Sequence, residues 1–151
     1  MKAITIWQPW ASLLVSGKKK YETRSWATSY RVPIAIHAAK RPVRQTIDAL
    51  IADEGDGWVT LDCFERLFTC PEELNQLPTG AIVGTAILTC CHLITEAFVE
   101  KLTPMELALG DFTLGRYAWE FHWRTPVDPP VPVKGSQGLW EWEGGIFHKP
   151  D

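Results

Sequence analysis

The sequence lacks the long apolar segments that cross or enter membranes. Of its 151 residues 46% are hydrophobic, but no stretch approaches the ~20 consecutive apolar residues of a membrane helix. Charged residues also interrupt the N-terminal segment too early for the apolar core of a signal peptide. We therefore expect a cytoplasmic protein without a membrane partner. A chain of this length is typical of one domain, which we expect to span residues 1–151.

The patterns that bind metal ions or form disulfide frameworks are also missing. The four cysteines, Cys63, Cys70, Cys90 and Cys91, show no CxxC spacing, and an adjacent pair suits neither joint zinc coordination nor a relaxed disulfide. The four histidines are scattered, and no acidic pair has ligand spacing. We expect no metal site and no other cofactor, and we interpret the cysteines as buried reduced thiols.

Positive charge is scarce overall but concentrated at one end of the chain. The net charge is −3 and the pI is about 5.8, which argues against a polybasic coat for nucleic acid. Residues 1–44, however, carry nine basic residues and one acidic residue, so this segment has a net charge of +8 and the remainder −11. The asymmetry predicts one basic face for an anionic ligand.

Apolar periodicity predicts an α+β fold. Strands are predicted at residues 2–7, 21–24, 33–37, 81–88, 116–123 and 139–142, and helices at residues 9–17, 42–51, 61–68 and 103–110. The last helix begins at Thr103 and Glu106, which have the spacing of a capping box. Prolines between residues 126 and 132 exclude a central strand there. The pattern favours a small mixed β-barrel or curled sheet with helices packed outside.

The junction between the first helix and the next strand carries a compact charged motif. Gly17, Lys19, Glu22 and Arg24 form a GxKxxExR pattern, and the segment Trp7-Gln8-Pro9-Trp10 precedes it. With further matching segments at residues 36–39, 80–84, 110–119 and 134–140, the chain resembles the ASCH (activating signal cointegrator homology) domain family. These segments are similar to the bacterial and phage branch of the family, which also resembles the vertebrate endothelial-overexpressed lipopolysaccharide-associated factor.

The resemblance implies a barrel of the PUA-like type with the GxKxxExR loop beside a cleft. Members of the family are thought to bind RNA or nucleotides there, and some are hydrolases of acetylated cytidine or of RNA. In the amidohydrolase branch the lysine of the motif is kept, and a catalytic threonine stands at the position of Glu22. Glutamate can act as a base in this position, but it offers no hydroxyl nucleophile.

Our leading hypothesis is a cleft around the motif that binds single-stranded RNA, a nucleoside or nucleotide, or a modified nucleoside. Lys19 and Arg24 would contact a phosphate or a base carbonyl, and Glu22 would accept from an exocyclic amine. A structural ion pair that fixes the loop is the alternative for these three residues. Further ligand contacts are assigned to Trp7, Gln8, Trp26, Arg116, Lys134 and Gln137.

The tryptophans support an unpaired base as the ligand, because indole rings stack on the faces of bases, and in a duplex those faces are already stacked on neighbouring bases. We expect Trp26 to be exposed and at least one of Trp7 and Trp10 to lie in the core. Gln8 offers a donor and an acceptor that could read a base edge, or it caps the first helix.

A hydrolase that uses the same cleft is the rival hypothesis. Its catalytic residues would be Glu22 as base, Lys19 as electrostatic stabiliser and Asp111 or Glu106 as second carboxylate. Asp111 equally suits a salt bridge to Arg116.

Two further interpretations come from the residues alone. We expect His37, which ends an apolar strand, to be a hydrogen-bonded core histidine. A third hypothesis is a protein adaptor that uses the proline segment at 126–132. The sequence leaves the oligomeric state open.

Overall fold

The computed structural model describes residues 1–144, and within them the chain forms six strands and six helices. The strands are β1 (Lys2–Ile6), β2 (Tyr21–Arg24), β3 (Pro33–Ala38), β4 (Ala81–Leu93), β5 (Tyr117–Pro132) and β6 (Leu139–Glu141). The helices are α1 (Trp10–Ser16), α2 (Val43–Ala52), α3 (Gly57–Leu67), α4 (Pro71–Asn75), α5 (Glu96–Glu100) and α6 (Pro104–Ala108).

The strands form one curled mixed sheet in the order β2-β5-β4-β3-β1-β6. Strands β1 and β3 are parallel, so both end at the same edge of the sheet, and the other neighbours are antiparallel. Both faces of the central strands are buried. Ile4 and Ile36 belong to the core cluster on one face, while Ala3 and Ala35 belong to the cluster on the other. The period of two residues assigns these side chains to opposite faces.

Helix α1 lies between the sheet and the other helices. Its residues Ala11, Leu14 and Val15 pack in the cluster formed by the strands. Leu13 packs instead with residues of α2, α3 and α4. Burial on both sides fixes the end of α1, where Gly17 adopts φ +80 as the C-cap. The GxKxxExR segment therefore leaves the helix in a defined direction.

The predicted α+β class with a curled sheet is confirmed. All six predicted strand regions and the four predicted helices are present, but several bounds differ. Helix α3 begins at Gly57 rather than at residue 61. Strand β4 continues five residues past residue 88, through half-buried residues 89–92 to the exposed Leu93.

Helices α4 and α5 were not predicted, and a turn was expected at Pro71 in the place of α4. Each has five residues, which is too short for apolar periodicity to appear. In α5 the signal is the cap, because the Thr95 side chain accepts from the backbone N–H of Phe98.

The proline segment continues β5 instead of forming a separate loop. Pro126 and Pro132 lie opposite Gly84 and Ala81 of β4, whereas the recorded pairing of β5 with β2 covers only residues 117–120. Within residues 1–144, the segment therefore pairs on one side only, as expected where prolines lack an N–H donor.

The capping box at α6 forms only in part. Thr103 accepts from the Glu106 backbone N–H as expected, but the Glu106 carboxylate accepts from the backbone N–H groups of Lys20 and Tyr21.

The expectation that all four cysteines are buried is wrong in part. All four are free, but only Cys63 is buried, while Cys70 is exposed and the other two are half-buried. No helix within residues 1–144 is long and apolar enough to cross a membrane.

Candidate functional site

A large cleft opens where β1 and β3 end. Its volume is about 1560 Å³, and its walls come from the ends of these two strands, from β2 and from the loop at residues 133–138. Ligand pockets are typically about 300–1,000 Å³, so the cleft can hold more than one small-molecule-sized group. The parallel arrangement of β1 and β3 creates the site, because both chains turn away at the same edge.

The cleft wall is predominantly cationic. Within the described residues, four cationic side chains line it, namely those of Arg24, Lys40, Arg116 and Lys134. Glu22 contributes a carboxylate to the same wall. Such a surface attracts anions, and the Glu22 carboxylate is the negatively charged group that residues 1–144 place on this wall.

Glu22 and Arg24 lie together on one face of β2, as their spacing predicts. The Arg24 Nη2 atom donates to Glu22 Oε2 at 3.1 Å and to the backbone carbonyl of Thr5 at 2.9 Å. The second Glu22 oxygen accepts from the Thr23 N–H at 3.1 Å. Both side chains are largely buried but still line the cleft. The carboxylate is thus held in a fixed orientation with an accessible edge.

Lys19 is placed beneath the site rather than on its wall. Its side chain is 2% exposed, and its Nζ lies 3.5 Å from Glu106 Oε1. Among residues 1–144, no acceptor meets hydrogen-bond geometry with this nitrogen. Burial lowers the pKa of Lys19, although Glu106 and Glu22 oppose the shift. The sequence interpretation gave Lys19 a contact to a phosphate or a base carbonyl, but Lys19 does not line the cleft. Lysine is rarely buried without a partner, and the partner here is Glu106 of α6.

Glu106 holds the motif loop from below. Its carboxylate accepts from Lys20 N at 3.0 Å and from Tyr21 N at 3.0 Å, next to the Lys19 ammonium. The motif lysine and the α6 glutamate therefore fix the start of β2, and β2 carries Glu22 and Arg24 into the cleft.

The three tryptophans near the motif line the cleft, but their exposures differ. Trp7 is the most exposed at 49%, and the guanidinium carbon of Arg41 lies 3.9 Å from its ring centroid. Trp26 is half-buried, because it meets Trp119 edge-on at 4.7 Å. The expectation that Trp26 would be exposed is therefore met only in part. Trp10 packs against two core clusters, as expected for one of the first two tryptophans.

Gln8 has no accessible surface and is not on the cleft wall. Its Nε2 donates to Ser12 Oγ and to the Pro78 carbonyl, while its Oε1 accepts from the Ser12 N–H. Both ends of the amide are thus used inside the protein, which corresponds to the helix-capping alternative.

His37 supports the loop that closes one side of the cleft. Its Nε2 lies 2.7 Å from the Val133 carbonyl and its Nδ1 3.1 Å from Thr5 Oγ1, which also accepts from Trp140. This network assigns the proton of a neutral ring to Nε2, and burial lowers the pKa of His37. The ring is a hydrogen-bonded core histidine, as expected. Lys134 and Gln137 are exposed on the supported loop and line the cleft.

Gly135 allows that loop to lie directly on the histidine. A Cβ at this position would fall 2.6 Å from the His37 ring and 2.6 Å from Thr5 Oγ1. Only glycine permits this approach, so the position of the loop depends on it.

Asp111 and Arg116 form a salt bridge with Arg116 Nε 3.4 Å from Asp111 Oδ2. A hydrogen bond from the Thr113 hydroxyl lowers the pKa of Asp111. Asp111 lines a second cavity of about 230 Å³, and Glu22 lines both cavities. The two carboxylates therefore face one space, while Arg116 faces the larger cleft.

Lys40 is a site residue that the sequence interpretation missed. It lies two residues past the end of β3, at the edge where Trp7 follows β1. No group of three or more His, Cys, Asp or Glu side chains in the described part of the chain is arranged to hold a metal ion.

Comparisons with known proteins agree with this architecture. The model of the ASCH domain matches residues 4–130. Human and mouse activating signal cointegrator 1 are each 29% identical over 147 residues, which is 95% of this chain and 22% of theirs. The chain thus spans about a fifth of the length of these curated relatives.

A solved structure has the same fold. The ASCH protein from Zymomonas mobilis superposes with a TM-score of 0.56 at 16% identity, over 94% of this chain and 87% of that one. The mixed sheet with its outer helices is the PUA-like fold that the motif implied. The chain belongs to the ASCH domain family.

Proposed function

We propose that the protein binds single-stranded RNA, or a modified nucleoside within it, in the large cleft. One observation carries the proposal: four cations and three indole rings surround one oriented carboxylate in the described cleft wall. Membership of the ASCH family supports the same conclusion. Human and mouse relatives match over only 22% of their length, so the proposal concerns this domain alone.

The cations supply the contacts to phosphate. Lys40 and Lys134 are exposed at two sides of the cleft, where they can neutralise successive phosphates without loss of an internal partner. Arg116 is half-buried and adds a fixed positive charge. Phosphate contacts give affinity but little sequence preference.

The aromatic rings and Glu22 supply the contacts to the base. Trp7 is 49% exposed and offers the most accessible stacking surface. Base stacking on an aromatic ring is worth about 1–3 kcal/mol. The Glu22 carboxylate is fixed by Arg24 and the Thr23 N–H, so it can accept from an exocyclic amine as carboxylates do from cytosine. This combination favours an unpaired base over a duplex.

Fluorescence anisotropy with a labelled single-stranded RNA tests the proposal with two matched pairs of variants. Lys134→Ala should weaken binding at least about fivefold, since about 1 kcal/mol is expected for a charged contact. The exposed Lys101, outside the cleft wall, provides Lys101→Ala as control. Trp7→Ala should also weaken binding, whereas Trp58→Ala removes a 69% exposed ring of α3 without effect. Equal affinities within both pairs contradict the proposal.

A hydrolase is the second candidate, and the smaller cavity favours it. Glu22 and Asp111 both line this space of about 230 Å³, and the Lys19 ammonium, whose pKa burial lowers, lies close behind it. Glu106 is committed to backbone N–H groups, which leaves Asp111 as the second carboxylate. Glu22 would take a proton from water that attacks the amide of an acylated cytidine or a phosphodiester of RNA.

Chromatography of an acetylated cytidine or a short RNA after incubation separates this candidate from simple binding. Glu22→Gln should abolish product formation while the circular dichroism spectrum stays unchanged. Product formation by Glu22→Gln at the wild-type rate rejects Glu22 as the base. Absence of product with the wild-type protein, together with RNA binding, leaves the binding function alone.

A further inference from the structure

A cluster of nucleophilic and titratable side chains lies on the sheet outside the cleft wall. Cys90 and His92 are two residues apart and therefore share one face of β4. Glu120 of β5 lies directly opposite Cys90, and Tyr21 of β2 lies opposite Glu120. This is the alternate face from Glu22, so the cluster is separate from the proposed RNA site.

The side chains form a relay from a thiol to a carboxylate. Cys90 Sγ lies 3.7 Å from His92 Nδ1, and His92 Nε2 lies 3.2 Å from Glu120 Oε1. His122 occupies the other carboxylate oxygen, with Nε2 at 2.8 Å from Oε2. Because Glu120 is an acceptor, the neutral His92 ring carries its proton on Nε2. Its Nδ1 lone pair then faces the thiol.

The surroundings keep Glu120 ionised and His92 in place. Burial alone would raise the pKa of Glu120, but hydrogen bonds from His122 and His92 outweigh it, so the pKa is lowered. Phe98 lies 5.2 Å from the His92 ring and Tyr21 meets it edge-on at 5.9 Å. A nucleophile, a base and a group that orients the base is the arrangement that activates cysteine.

We propose that Cys90 is a reactive thiol that forms mixed disulfides with low-molecular-weight disulfides, with His92 as the base and Glu120 as the group that orients it. Cys90 is half-buried, and the His92 side chain is 32% exposed, so a small reagent can reach the sulfur. The nucleophile in such an exchange is the thiolate.

The step is a balanced exchange. His92 Nδ1 takes the Cys90 proton, and Sγ attacks one sulfur of the reagent. A new S–S bond forms as the S–S bond of the reagent breaks, and the leaving thiolate takes the proton. Cys90 and the reagent thus become a mixed disulfide and a free thiol. The Cys90 sulfur is oxidised, and the released sulfur is reduced.

Two cations lie near the carboxylate of the cluster. Lys20 and Arg124 both interact electrostatically with Glu120. The Lys20 ammonium lies over the Tyr21 ring at 5.3 Å from its centroid.

The rate of reaction with dipyridyl disulfide, a neutral reagent that releases an absorbing thione, tests the proposal. The starting protein carries Cys63→Ala, Cys70→Ala and Cys91→Ala, so that Cys90 is the remaining thiol. His92→Gln in this protein should lower the rate at least about tenfold. This threshold is conservative, because a positioned general base typically contributes a rate factor of about a hundredfold or more. Glu120→Gln should lower it less.

The matched control is Glu100→Gln, because Glu100 is an exposed carboxylate of α5 that belongs to neither the cluster nor the cleft wall. Its rate should stay within about twofold of that of the starting protein, because only the nucleophile, its base and the group that orients the base should affect the rate. A second measurement needs no His92 variant: folded Cys90 should react at least as fast as the same thiol unfolded in guanidinium chloride. A slower folded reaction, or an unchanged rate in folded His92→Gln, overturns the proposal.

Discussion

Glu106→Gln tests whether the buried Lys19 pair holds the motif loop. Glutamine keeps one oxygen that can accept from Lys20 N or Tyr21 N, both now bonded at 3.0 Å. It loses the negative charge 3.5 Å from the Lys19 ammonium, which is 2% exposed. The substitution therefore changes mainly the charge balance beneath the cleft.

The expected cost is about 3 kcal/mol of unfolding free energy, because removal of one partner from a buried ion pair typically costs about 3–5 kcal/mol. Burial already lowers the pKa of Lys19, so in Glu106→Gln the amine can lose its proton instead of remaining an unpaired buried charge. This keeps the cost at the lower end of that range. With a urea dependence of about 2 kcal/mol per molar, the midpoint should fall by about 1.5 M.

Urea unfolding followed by tryptophan fluorescence measures this shift, and a double variant identifies its cause. Lys19→Met combined with Glu106→Gln removes both charges, so it should be at least about 1 kcal/mol more stable than Glu106→Gln alone. The reasoning is refuted if Glu106→Gln shifts the midpoint by less than about 0.3 M, on the same urea dependence, or if the double variant shows no recovery.

Two further predictions concern the loop that His37 supports. Burial lowers the pKa of His37, so below its ordinary value of about 6.5 the unfolded chain binds more protons than the folded protein. The free energy of unfolding should therefore fall as the pH falls from 6.5 towards the folded pKa. Urea unfolding at several pH values should show a weaker pH dependence of this free energy in His37→Gln, and an equal pH dependence contradicts the assignment. Gly135→Ala places a Cβ 2.6 Å from the His37 ring and should cost about 1–3 kcal/mol and weaken RNA binding, whereas Gly55→Ala, with contacts of 3.6 Å, should change neither.

Local patterns predicted the elements that position the site. The alternation in β1, the stripe of α1 and the φ +80 turn at Gly17 place the motif at the start of β2. The spacing of two residues also predicted that Glu22 and Arg24 share a face, where they form a 3.1 Å ion pair. These features depend on neighbours in sequence, which is why periodicity and capping rules detect them.

Periodicity and capping rules could not predict the contacts between residues far apart in the sequence. Lys19 is buried because Glu106, far along the chain, lies against the start of β2. Gln8 is internal because the Pro78 carbonyl takes its amide donor. Neither contact leaves a periodic signal, and a polar residue without a known partner is assigned to the surface.

Binding of RNA phosphates by the cations of the cleft requires that the affinity fall as the salt concentration rises. Each neutralised phosphate contributes about −0.7 to the slope of log affinity against log salt concentration for single strands. With the four cations of the described cleft wall, we expect a wild-type slope between about −1.5 and −3, reduced in magnitude by about 1.4 in Lys40→Ala/Lys134→Ala. A wild-type slope near zero, or the same slope in the double variant, contradicts this expectation.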